Sequence, residues 1–81
     1  MARYSFTAIV EQDEDGVFIS SCPALPGCHS QGETYKEAIE NLKEALQVYL
    51  EAKLSLGEPI PVEVGVDRVE VNVETASGKT A

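Results

Sequence analysis

Tryptophan is absent from this chain of 81 residues, histidine occurs once and cysteine twice. Cys22, Cys28 and His29 make three soft ligands where a structural zinc wants four, so no metal site is expected. His29 has no Ser or Cys with an orienting third group at a readable spacing, which leaves nucleophilic catalysis without its parts. Gly27 and Gly32 stand isolated with no neighbouring Lys, so there is no phosphate cradle and no cofactor is expected. Basic residues are scarce as well: six Lys and Arg, scattered over the chain, face fourteen Asp and Glu. Without a basic stripe to neutralise phosphates, direct nucleic-acid binding is not expected. No apolar run approaches the roughly 20 residues of a membrane span. Met1-Ala2-Arg3 leads directly into strand-like sequence without an apolar leader, so a cytoplasmic location is expected.

What remains is an acidic globular chain, 43% hydrophobic and 25% charged, with a formal charge of -8. This balance is too apolar for disorder and suits one small domain, expected over residues 1–74, with a flexible tail over 75–81. In residues 3–12, Tyr4, Phe6, Ala8 and Val10 alternate with Ser5, Thr7 and Ile9, which predicts a strand. Asp13-Glu14-Asp15-Gly16 supplies a polar hairpin turn, and residues 17–22 the returning strand. Pro23 and Pro26 stiffen the next segment, and Pro26-Gly27 suits a type II turn. Cys28 to Gln31 leave room for a short third strand.

Residues 34–56 carry an apolar stripe of helical period: Tyr35, Ala38, Ile39, Leu42, Ala45, Leu46, Tyr49 and Leu50. Thr34 and Glu37 form a capping-box pattern at its start, and Gly57 and Pro59 end it. Beyond the Pro-x-Pro segment at 59–61, Val62, Val64 and Val66 share one phase and Val69, Val71 and Val73 the other. That break at Asp67-Arg68 places a fourth strand over 68–74, with 62–66 as an extended approach. The order predicts a two-layer α+β domain, β-β-β-α-β, with an antiparallel sheet and one helix packed on one face. A single helix covers one sheet face only, so burial of the other by a second copy is expected. The strands at 3–12 and 17–22 would lie at the centre of a dimer or tetramer.

The acidic turn mimics the first half of a calcium loop, but Cys22 stands where the bidentate Glu belongs, so a solvated hairpin tip is the better reading. Cys22 and Cys28 read as small buried hydrophobes, although their spacing also permits a disulfide. No carboxylate pair sits in a pattern that suggests hydrolysis, and no enzyme activity is expected.

The segment Val17 to Thr34, with Pro23-Ala24-Leu25-Pro26-Gly27-Cys28 at its centre, and the pairs Glu37-Ala38 and Glu44-Ala45 resemble the HicB-like antitoxin family. The resemblance covers about residues 3 to 60. It implies a partial ribonuclease-H-like fold without the catalytic acids. It also implies a partner: a small basic toxin of the HicA kind, which cleaves messenger RNA with a His and whose active site the antitoxin masks. On that reading Phe18, Leu25 and the acidic residues Glu11, Asp13 and Asp15 are the candidate partner contacts, Leu25 on condition that its side chain points outward. A solitary self-associating version of the domain is the alternative. Two departures stand out. Ala24 occupies a place where family members commonly carry Asp. Only 24 residues follow Gly57, too few for a helix-turn-helix or ribbon-helix-helix domain beside a last strand, so operator binding is not expected.

Overall fold

In the computed structural model, which describes residues 3–74, three strands and one helix follow one another along the chain: β1 (Ile9–Gln12), β2 (Phe18–Ser21), β3 (His29–Gly32) and α1 (Tyr35–Ser55). The sheet is antiparallel with order β1-β2-β3. The helix lies across one of its faces, giving the expected α+β arrangement of sheet and single helix. The tail expected over 75–81 lies outside the described residues.

The hairpin forms where the acidic turn predicts it. Asp13 Oδ1 accepts from the backbone N–H of both Asp15 and Val17, and Gly16 N–H donates to Asp13 O at 3.1 Å. Gly16, at φ 87, takes the left-handed position that ends a three-residue hairpin loop. Both hairpin strands are shorter than the alternation suggests. Ile9 pairs with Ser21, and there the ladder stops: Cys22 N–H donates on the β3 side, to Cys28 O at 3.1 Å, and Pro23 has no N–H to offer β1. Residues 3–8 therefore have no strand opposite them, and the strand expected over 3–12 is realised only in its last four residues.

Around the connector the backbone closes on itself. Leu25 N–H donates to Cys22 O and Cys28 N–H to Leu25 O, both at 3.0 Å. Gly27, at φ 86, fills the third position of the second turn, which a type II turn reserves for glycine. This folds Leu25 inward. It is fully buried in a core with Cys22, Cys28 and Leu42, flanked by Phe6, Ala45, Leu46, Tyr49 and Leu50.

The helix begins as its sequence predicts. Thr34 Oγ1 accepts from Glu37 N–H at 3.0 Å, while the Glu37 carboxylate reaches back one residue further than in a standard capping box, to Glu33 N–H at 2.6 Å. Thr34→Ala removes the side-chain acceptor of the first turn and is expected to cost about 1 kcal/mol, read as a shift of the urea midpoint at unchanged slope. At the other end Gly57, at φ 71, and Glu58 donate to Leu54 O and Lys53 O, the paired bonds of a Schellman motif. The Lys53–Glu58 ion pair at 3.3 Å spans the same turn.

The expected fourth strand does not form. Residues 59–74 carry no strand pairing in the described structure. Pro59 and Pro61 fix two φ angles and supply no backbone donors where the chain leaves the helix. Among the described residues this arm is hydrogen-bonded to the body through a side chain: the Glu63 carboxylate accepts from Thr7 N–H and Thr7 Oγ1, both at 2.8 Å.

Candidate partner-docking surface

Strand register sorts the sheet into two faces. Successive side chains alternate, so Gln12, Phe18 and Gly32 share one face with Val10, Ser20 and Ser30. This is the helix side. Ser20, fully buried, donates its hydroxyl to Ala38 O at 2.8 Å, and Phe18 meets Tyr35 edge-on with centroids 6.4 Å apart. The opposite face carries Ile9, Glu11, Ile19, Ser21, His29 and Gln31. Only two of these six are apolar, so the uncovered face is less apolar than the alternation of the hairpin strands suggests.

The proposed contacts separate on this frame. Glu11 projects from the open face and Asp15 from the hairpin tip, and neither carboxylate is bound by a hydrogen bond or ion pair among the described residues. Asp13 has a local duty instead, because its carboxylate holds the turn together through two backbone amides. Charge reversal there would disturb the hairpin as well as the surface potential. Phe18 is half-buried under Tyr35. Leu25 is a core residue and offers a partner nothing: the condition that it point outward is not met, since the two turns around it direct its side chain into the core.

Cys22 and Cys28 are both buried and both free thiols. Burial pushes the Cys28 thiol up from its usual range, and the neighbouring Cys22 adds to the rise. A protonated, buried thiol is a poor nucleophile and a poor metal ligand. His29, next in sequence, is exposed and turned away from that core. Among the described residues no group of three or more His, Cys, Asp or Glu is placed to hold a metal ion. No helix among them is long and apolar enough to cross a membrane.

Two surface features escape the sequence pattern. A groove of about 680 Å³ runs between Tyr4–Phe6 and the C-terminal half of α1, floored by Leu46, Leu50 and Leu54. Leu54 continues the i, i+4 row of Leu46 and Leu50, which is the signal that could have marked it. The second feature is the arm itself, whose six valines are all exposed.

A three-stranded antiparallel sheet backed by one helix, with acidic residues at the hairpin tip, defines a small α+β domain. Residues 6–80 match the family described as HicB_like antitoxin of bacterial toxin-antitoxin system, and the chain belongs to that family. Its relatives include a UPF0150 protein of Synechocystis sp., 43% identical over 60 residues that make up 74% of this chain and 76% of that one. A UPF0150 protein of Thermotoga maritima is 36% identical over 74 residues, 90% of this chain and 95% of the other. Among solved structures, the N-terminal domain of the antitoxin HicB from Burkholderia pseudomallei shares the fold, with a TM-score of 0.62 at 33% identity. That match covers 90% of this chain and 75% of that domain's chain.

Proposed function

We propose that this chain neutralises a small basic RNA-cleaving toxin by binding it and covering its active site, without catalysis of its own. The observation that carries the reading is the family match over nearly the whole chain, joined by the likeness to an antitoxin's N-terminal domain. The charge supports it: a chain of -8 with unpaired acids at Glu11 and Asp15 attracts a basic protein over distance. Phe18, Glu11 and Asp15 remain the contacts of choice, and both partners would meet in the cytoplasm.

Electrostatic attraction of this kind acts mainly on the rate of encounter, while the desolvated centre sets dissociation. Stopped-flow association with the toxin should therefore slow as salt rises from about 50 to about 500 mM, since screening shortens the reach of charge to about 8 Å at physiological ionic strength. Dissociation should change much less. Joint reversal of Glu11 and Asp15 to Lys should weaken binding by less than about tenfold, because rim charges steer more than they hold. RNA cleavage by the toxin should stop at a saturating excess of this chain. Cleavage that continues undiminished would reject the neutralising role. The second reading, a self-associating domain with no toxin, is favoured by one observation: the exposed valine arm.

A further inference from the structure

The chain has two cysteines, and the fold seats them opposite each other. The β2–β3 register runs through Ser20↔Ser30 and Ser21↔His29, and its next step sets Cys22 against Cys28. The backbone keeps that step, since Cys22 N–H donates to Cys28 O at 3.1 Å. Directly opposite residues of a hydrogen-bonded antiparallel pair stand about 5.5 Å apart at Cα, and a disulfide spans about 4.4–6.8 Å. Alternation from Ser20 and Ser30 turns both side chains to the helix side. There the two thiols lie in one cluster with Leu25 and Leu42, 2% and 6% exposed.

We propose that Cys22 and Cys28 form a reversible disulfide that clasps the Pro23–Gly27 connector and makes it sensitive to the surrounding thiol–disulfide balance. The loop is closed before the bond forms, by Leu25 N–H to Cys22 O and Cys28 N–H to Leu25 O. The co-reactant is a low-molecular-weight disulfide. One cysteine, as thiolate, attacks a sulfur of that disulfide and joins it, releasing one small thiol. The other cysteine, as thiolate, attacks the joined protein sulfur and releases the second small thiol. Two protein thiols are thereby oxidised to one S–S bond, the small disulfide is reduced to two thiols, and the two protons pass to them. A reducing compartment keeps the pair as thiols, and a shift of the pool toward disulfide favours the bond.

Leu25 sets the rate. It is the connector's own side chain, fully buried in the cluster that holds both cysteines. Burial also keeps the Cys28 thiol protonated, so exchange waits on a local opening in which Leu25 leaves the core. The equilibrium runs the other way. By holding the thiols within reach, the fold raises their effective concentration above that in the unfolded chain. The bond returns the same factor as stability, because the two effects are linked.

The inference concerns the chain alone and does not rest on the existence of a toxin. The purified chain is equilibrated with oxidised and reduced glutathione at several ratios, with and without denaturing urea, then quenched in acid for mass measurement. An intramolecular bond lowers the mass of one chain by about 2 Da, and with only two cysteines no variant is needed to locate it. The equilibrium should lie about tenfold or more further toward the bond in the folded chain than in urea. The rate should be slower in the folded chain, and the oxidised chain should unfold at a higher urea concentration than the reduced one. An equilibrium no more favourable in the fold than in urea, glutathione adducts that never close the ring, or a bond formed only between chains would each overturn the clasp.

Discussion

Ala38→Asp should leave the chain largely unfolded at neutral pH. Ala38 is fully buried where α1 meets β2 and β3, and its carbonyl already accepts the Ser20 hydroxyl. An aspartate there has neither space nor a cation to pair with, and the nearest basic residues of the helix, Lys36 and Lys43, belong to its exposed side. Burying an unpaired carboxylate costs several kcal/mol even after relaxation. The whole domain, at about 0.05–0.15 kcal/mol per residue, has only about 4–12 kcal/mol to lose. Thermal and urea melts should show no cooperative transition at pH 7, with partial recovery at low pH where the carboxyl is neutral. A melt within about 1 kcal/mol of wild type, the loss expected for Thr34→Ala, would mean that the helix presents another face to the sheet.

Gly32→Ala should cost about 1–3 kcal/mol, as overpacking does where backbone has to yield. A Cβ on Gly32 would sit 2.6 Å from Ala38 N and 2.9 Å from both the carbonyl carbon and the Cβ of Glu37. Two of these neighbours are helix backbone, so the first turn of α1 has to lift from β3. The same turn is held by the Thr34 cap, so Gly32→Ala and Thr34→Ala act on neighbouring parts and should not add. The check is the urea midpoint of both single variants and of the double variant. If Gly32→Ala proves neutral, α1 does not approach β3 this closely. Gly27 is the useful contrast, because a Cβ there meets nothing and its positive φ alone selects glycine.

The Thr34 cap, the Gly57 stop, the Asp13–Gly16 turn and the Pro26–Gly27 turn were all readable, because each is an interaction between residues a few positions apart. The helical stripe was readable for a similar reason: its period reports one face, whatever that face meets. The family resemblance was legible too, through the connector motif between Val17 and Thr34.

Other features depended on contacts between distant segments. Gly32 reads as an unremarkable glycine before a Thr until the helix is brought down on it. The direction of the Leu25 side chain is open in the sequence of a stiff connector until two turns direct it into the core. Residues 68–74 have the alternation of a strand, but a strand needs an edge to pair with, and these residues are paired with none. Pattern within the chain thus decided which residues could form each helix, turn and strand, and the charge they would carry. Which of them became core, contact or unpaired arm was decided by packing, since burial and strand pairing depend on neighbours that local sequence does not name.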